Sequence, residues 1–184
     1  MIDRVFTIDL ARCTGCQACS IACKDRANLP DDLDWLRVEP QEAGAYPHPT
    51  LVYRVTHCFH CADPACIAVC PVTAIVKHEN GLVQIDAELC VGCEACVGAC
   101  PFGTIVMLPQ GVAAKCDGCA DEIAEGRDPA CVRACPMRAL AYGPAENSIP
   151  AQRVLDQDFD GHGIGPAVRY LRRQIPTRDQ CVGP

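Results

Sequence analysis

The sequence predicts a small α+β protein made of two copies of one cysteine-rich unit, with an inserted hairpin and an extended C-terminal arm. Three observations carry that expectation. Seventeen of the 184 residues are cysteine, and sixteen of these fall into four groups of four. The groups are of two kinds, and the pair is repeated once along the chain. Short strand-like runs ending in Ile-Asp precede one kind, whereas the other kind contains an Asp-Pro turn before its last two cysteines.

Taken in order, FTIDLARCTGCQAC reads as a strand entering a tight glycine-containing loop, and holds the first group, Cys13-x2-Cys16-x2-Cys19-x3-Cys23. Runs around Trp35 to Val38 and Leu51 to Val55 then alternate at strand period, separated by 39–50 with three prolines and a glycine. They predict a hairpin that covers the core. The single tryptophan, Trp35, is expected to be buried rather than redox-active. The second group is Cys58-x2-Cys61-x4-Cys66-x3-Cys70, in which ADPACIAVCPVTAI places an Asp-Pro turn before a short helix and a proline after it. Asn80-Gly81 marks a turn between two strand-like runs. VQIDAELCVGCEAC then repeats the first pattern, with the third group Cys90-x2-Cys93-x2-Cys96-x3-Cys100. The fourth, Cys116-x2-Cys119-x11-Cys131-x3-Cys135, repeats the second pattern as RDPACVRACPMRAL. Asp121, Glu122 and Glu125 in its loop read as a solvated helix face. After Gly143 the chain turns rich in Pro, Gly and charge. Val168, Leu171 and Ile175 recur there at helical spacing, predicting one or two amphipathic turns, marginal unsupported and so suited to docking another subunit. Cys181 is left over as an idle thiol.

The chemistry follows from the spacing. C-x2-C-x2-C-x3-C is the ligand run of bacterial two-cluster ferredoxins, in which the fourth thiolate ligates the neighbouring cluster. Three thiolates within seven residues converge on one cubane when the loop curls around it. A disulfide framework needs an oxidising compartment. Structural zinc prefers two C-x2-C pairs around one ion, and only the second and fourth groups suit it. Four [4Fe–4S] clusters are therefore expected, held in two bacterial-ferredoxin-like (βαβ)2 units. Spacing leaves tandem and nested pairing of the motifs open, although the short continuous stretch from Cys58 to Cys100 reads as one complete unit and favours nesting. His57 and His60 flank ligands, where a ring N–H can bond a cluster sulfur and raise its potential; the plainer reading is a polar residue in a turn.

Composition excludes several classes. The formal charge is −7 and aromatic residues make up 5 %, so no electrostatic footprint for nucleic acid is present. Four clusters, each adding about −2, make the loaded protein more acidic still. The ordinary apolar core must be thin for the size. MIDRVFTIDL has neither a basic nor an apolar leader region, so no export signal is expected. The charge-free run 95–114 contains glycines, prolines and two motif cysteines, which fits cluster packing and not a membrane span. No phosphate loop, nucleophile–base pair or open metal site appears, so no catalytic residue is expected.

Through RCTGCQACSIACKD, HCADPACIAVCP, LCVGCEACVGACP, KCDGC and DPACVRACP, over residues 3–145, the chain resembles the four-cluster electron-transfer subunits of molybdenum- and tungsten-pterin oxidoreductases. That family includes the iron–sulfur subunits of dimethyl sulfoxide, polysulfide and thiosulfate reductases and formate dehydrogenases. Small subunits of tungsten aldehyde oxidoreductase complexes are also similar. The resemblance implies nested pairing. One cluster would take Cys13, Cys16, Cys19 and Cys135; a second Cys58, Cys61, Cys66 and Cys100; a third Cys70, Cys90, Cys93 and Cys96; a fourth Cys23, Cys116, Cys119 and Cys131. Cys93 stands where the nitrate-reductase branch has Trp, which implies cubanes throughout.

The implied organisation is an outer unit of residues 1–28 and 107–145, a hairpin at 29–51, an inner unit at 52–106 and a docking arm at 146–184. The implied function is non-catalytic: a wire of four clusters between a large pterin-bearing catalytic subunit and a second redox partner. That second partner is a flavin or nicotinamide subunit, a membrane anchor or further copies of this chain. The alternatives are a free polyferredoxin carrier, a hydrogenase-complex subunit or a zinc-stabilised module. A cytoplasmic location is expected, with export alongside a signal-bearing partner as the alternative.

Overall fold

The computed structural model describes residues 4–146 and 149–174. In chain order its elements are β1 (Arg4–Asp9), α1 (Ala18–Arg26), β2 (Arg37–Ala43), β3 (Thr50–Thr56), α2 (Ala65–Ala68), β4 (Ile75–Lys77), β5 (Val83–Ile85), α3 (Ala95–Ala99), β6 (Ile105–Met107), β7 (Ala113–Lys115), α4 (Ala120–Ala124), α5 (Ala130–Ala134), β8 (Leu140–Pro144), β9 (Arg153–Leu155) and β10 (Val168–Arg173). It is an α+β arrangement of short helices and small sheets. Helices this short are not stable alone; α1 lies against α5, and α2 against α3.

Four strands form one sheet in the order β8-β1-β10-β9. β1 runs antiparallel to β8, with Phe6 opposite Tyr142, and parallel to β10, with Ile8 opposite Tyr170. The remaining strands pair as three antiparallel hairpins, β2-β3, β4-β5 and β6-β7. The strand before the first cysteine group and the strand after the fourth thus meet in one sheet. The two small hairpins, β4-β5 and β6-β7, connect the second group to the third and the third to the fourth.

Two apolar cores follow the same division. The larger gathers Phe6, Ile8, Leu10, Leu36, Val55, Phe59, Leu140 and Tyr170, and the smaller holds Ile75, Val83, Ile105 and Ala113. The scarce aromatics are concentrated where they join the parts: Phe59 meets Phe102 at 4.8 Å and Phe159 at 5.7 Å, and Phe159 meets Tyr170 at 4.9 Å between ring centres. Such edge-on and tilted contacts add to simple burial.

The repeated Ile-Asp has a local reason. Asp9 Oδ1 accepts from Ala11 N–H at 3.0 Å and Asp86 Oδ1 from Glu88 N–H at 2.9 Å. Each carboxylate bends the chain out of its strand and into a cysteine loop. The hairpin forms as expected but runs from Arg37 to Thr56, with Pro40 inside an edge strand where its missing N–H is tolerated. Its base covers the core through Val38 and Val55, whereas Tyr46 at its tip is 96 % exposed. Trp35 is half-buried against the larger core. The 95–114 run is broken into α3, β6 and β7, and among the described residues no helix is long and apolar enough to cross a membrane.

One expectation is corrected. The segment read as an amphipathic helix is β10, a strand buried beside β1. Val168 and Tyr170 satisfy a period of two as readily as Val168 and Leu171 satisfy helical spacing, and the open edge of β1 selects the strand. The preceding loop is stitched to the second cysteine group by Ala62 N–H to Gly165 O at 2.7 Å and Ala167 N–H to Phe59 O at 2.7 Å. Residues 149–174 of the expected docking arm therefore pack on this chain itself. Ile175 and Cys181 lie outside the described residues.

Candidate metal centres

The C-x-x-C loops share one backbone shape. Gly15, Gly92 and Gly118, each just before the second cysteine of its loop, have φ of 71°, 69° and 74°. His60 fills the equivalent place in the second group at φ 46°. This left-handed residue curls the loop, so that backbone donors turn toward sulfur. Gly118 N–H approaches Cys116 Sγ at 3.4 Å, Ala113 N–H Cys90 Sγ at 3.4 Å and Ala139 N–H Cys135 Sγ at 3.2 Å. The Thr104 hydroxyl lies 3.4 Å from Cys100 Sγ. At Gly118 the glycine is also a packing requirement, since a Cβ there would stand 2.6 Å from Leu82 Cδ2.

All sixteen motif cysteines are free thiols, drawn together across the motifs. One cavity is lined by Cys58, Cys61, Cys66 and Cys100, closed by Phe59, Phe102 and Ile105. A second is lined by Cys70, Cys90, Cys93 and Cys96, with Ile75, Ile85 and Ala113. Each holds the first three thiols of one motif and the last thiol of the other. Elsewhere, Cys13 and Cys135 both bear on Cys19, and Cys119 and Cys23 both bear on Cys131. Cys116 is close enough to both Cys23 and Cys58 to feel their charge. Cys16 and Cys93 are the two exposed thiols among the described residues.

Burial governs the acidity of these thiols. It pushes Cys61 up to about 12, with repulsion from Cys58, Cys100 and Cys66 adding to it. Cys23 rises to about 12, and Cys19 and Cys66 to about 11, for the same first cause. Cys116 and Cys131 are also held well above the ordinary thiol range by burial. Four such thiols cannot ionise together unless a cationic centre sits among them, so metal binding here must release protons. Among the described residues no His, Cys, Asp or Glu group closes on a point that would hold a single ion. The thiols instead ring a space, and with amide N–H groups turned to sulfur this donor set fits [4Fe–4S] clusters.

The two histidines, although set in the second cysteine loop, are core residues. His57 and His60 are 1 % and 2 % exposed. Burial lowers His57 to about 4 and His60 well below the ordinary imidazole value. Lys115 is a functional candidate that sequence reasoning missed. It is buried in the wall of the Cys58–Cys100 cavity, and its ammonium donates to the carbonyls of Val83 and of Cys116, the latter at 3.1 Å. The available signal was a lysine set directly before Cys116 at the end of an apolar run. The acidic loop is only partly solvated: Glu122 is buried and pairs with Arg133 at 2.6 Å, and Arg26 grips Asp117 and Asp121.

Buried four-thiol cavities on a small α+β scaffold, with no catalytic constellation expected beside them, define a multi-cluster iron–sulfur electron carrier. Residues 49–145 match the 4Fe-4S dicluster domain, and residues 10–26 match a 4Fe-4S binding domain. The protein is 42 % identical to the B subunit of anaerobic dimethyl sulfoxide reductase from Escherichia coli (strain K12), over 96 % of its own length and 86 % of that relative. It is 44 % identical to the thiosulfate reductase electron transfer subunit PhsB of Salmonella typhi, covering 78 % and 77 %. Against the B subunit of polysulfide reductase from Wolinella succinogenes it is 40 % identical, covering 71 % of each. The chain belongs to this family of 4Fe–4S electron-transfer subunits of oxidoreductases.

Proposed function

We propose that the chain carries electrons along four [4Fe–4S] clusters between a molybdenum- or tungsten-pterin catalytic subunit and a second redox partner, with the motifs paired in nested fashion. Outer clusters would be held by Cys13, Cys16, Cys19 and Cys135 and by Cys23, Cys116, Cys119 and Cys131. Inner clusters would be held by Cys58, Cys61, Cys66 and Cys100 and by Cys70, Cys90, Cys93 and Cys96. The observation that carries the reading is the pair of cavities in which Cys100 completes the second group and Cys70 the third. The packing of α1 on α5 and of β1 on β8 supports the outer pairing. The outer unit would then include 1–28 and 107–145 with β9 and β10 completing its sheet, and the inner unit 52–106.

Bound clusters supply reversible one-electron uptake. The chain supplies fixed thiolate sets, amide donors on sulfur and an apolar seal. Proximity of Cys116 to Cys58 supports contact between an outer and an inner cluster. Exposure of Cys16 and Cys93 supports entry and exit at those two ends, where partners of the kinds named for the relatives would dock. Thiols held reduced for assembly suit the cytoplasm, which is the proposed location.

Ligand pairing is tested by iron counting on the anaerobically assembled protein. With about four irons per cubane, the Cys16→Ala/Cys135→Ala double variant should lose no more iron than either single variant, because both changes strike one cluster. Under tandem pairing they strike two, and the double variant falls toward about eight irons per chain. Elemental analysis of the native complex for molybdenum or tungsten tests the partner.

A further inference from the structure

We propose that His60 donates a hydrogen bond from Nε2 to the cluster of Cys23, Cys116, Cys119 and Cys131, and so raises the potential of a cluster to which its own motif contributes no ligand. The inference rests on the four-cluster reading above.

Three observations support it. First, His60 stands at the loop position that Gly15, Gly92 and Gly118 occupy in the other motifs, in the same left-handed region at φ 46°. A side chain at such a position costs on the order of 1 kcal/mol in backbone strain, so the imidazole is kept against a local preference for glycine.

Second, the tautomer is determined. Val83 N–H donates to His60 Nδ1 at 2.9 Å. A nitrogen that accepts carries no proton, so the ring proton is on Nε2. His57 is the reverse case: its Nδ1 lies 2.7 Å from the Cys58 carbonyl, which can only accept, so the proton is on Nδ1 and Nε2 presents a lone pair. Of the two buried histidines flanking ligands, only His60 has a free donor.

Third, that donor has no acceptor among the described residues. Both rings' Nε2 atoms are buried without a hydrogen-bond partner, and leaving a buried donor unmet costs about 1–3 kcal/mol. His60 Nε2 faces the fourth motif, since a Cβ built on Gly118 would lie 3.3 Å from it. Gly118 sits between Cys116 and Cys119, and its own N–H already serves Cys116 Sγ. The acceptors available to His60 there are therefore the sulfurs of that cluster. A donor on sulfur stabilises the more negative, reduced state, and no proton needs to leave the ring when the electron arrives.

The test is potentiometric titration of the loaded protein followed by electron paramagnetic resonance, with the relevant cluster identified as the one whose signal is lost in Cys119→Ala. His60→Met removes the donor at similar volume. The cluster's reduction equilibrium should become about tenfold less favourable, a midpoint lower by about 59 mV for one electron. His60→Gln retains an amide N–H and should recover more than half of that shift, which a purely structural role would not produce. Labelling histidine with 15N should give a hyperfine coupling on this cluster that disappears in His60→Met. If His60→Met fails to load, the coupling in the unmodified protein still decides. An unchanged midpoint, a shift confined to the Cys58–Cys100 cluster, or absence of histidine coupling overturns the inference. Failure of the four-cluster reading would appear differently, as an unmodified protein short of its sixteen or so irons.

Discussion

Placing β10 inside the sheet makes a quantitative demand on Leu171. Its side chain is 2 % exposed, and its carbonyl accepts from Leu10 N–H at 2.9 Å; the strand's start is held by Phe6 N–H to Ala167 O at 3.0 Å. Leu171→Ala replaces a buried isobutyl side chain with methyl, which costs about 2–5 kcal/mol depending on how far the site collapses. A tail serving only as a docking arm would lose nothing in the isolated protein. Native-state hydrogen exchange on the loaded protein reads the difference where it arises, without assuming a two-state transition that cluster loss would spoil. At about 1.4 kcal/mol per tenfold, exchange at Phe6 and Leu10 should accelerate by roughly thirty- to several-thousand-fold. His78 and Leu108, whose N–H groups close the two small hairpins on Leu82 O and Val112 O, serve as internal references. Acceleration below threefold at Phe6 and Leu10 refutes the reasoning.

Two further outcomes follow from buried polar groups. Lys115→Met removes a positive charge from the wall of the Cys58–Cys100 cavity; at an effective dielectric of about 20 a unit charge acts on another by about 2 kcal/mol at 8 Å. The midpoint of that cluster should fall by on the order of 50–100 mV, read by redox titration, and an unchanged or higher midpoint contradicts the role. Tyr170, whose hydroxyl donates to Val55 O at 2.5 Å, is pushed up from 10 to about 12, chiefly by burial. The native state thus keeps a proton that the unfolded chain loses above about pH 10. This contribution is intact below pH 10 and declines by up to about 2 kcal/mol as pH rises toward 12. Amide exchange measured against pH should show Tyr170→Phe abolishing that decline, and an identical slope in both proteins would contradict it.

What the sequence disclosed depended on whether a signal was local. The strand, Asx turn, left-handed residue and ligand run of the cysteine loops lie within a dozen residues, so β1, the short helices α2 and α5 after the Asp-Pro turns, and the Asn80-Gly81 turn were all legible. The hairpin was legible from alternation, although Pro40 concealed how far β2 extends. The tail was not. Val168, Tyr170 and Leu171 fit either period, and the deciding partner, β1, lies some 160 residues earlier in the chain.

In the proposed reading, the same contrast separates the ligands from the groups that adjust them. Sixteen thiols announce themselves by spacing because each must reach a cluster from its own loop. Lys115 and His60 reach across motifs and converge on one residue, the lysine on the Val83 carbonyl and the histidine on the Val83 N–H. Val83 belongs to β5, which carries no cysteine itself and leads into the third cysteine loop, far in sequence from both Lys115 and His60. A single strand of the inner hairpin therefore sets the position of a buried cation in one cavity wall and of a ring donor facing the next loop. Substituting Val83 side-chain atoms should leave both groups in place, whereas a slip in β4-β5 register would displace both together. Alteration of the potentials of two neighbouring clusters by a change in a hairpin that ligates neither is the signature of that arrangement.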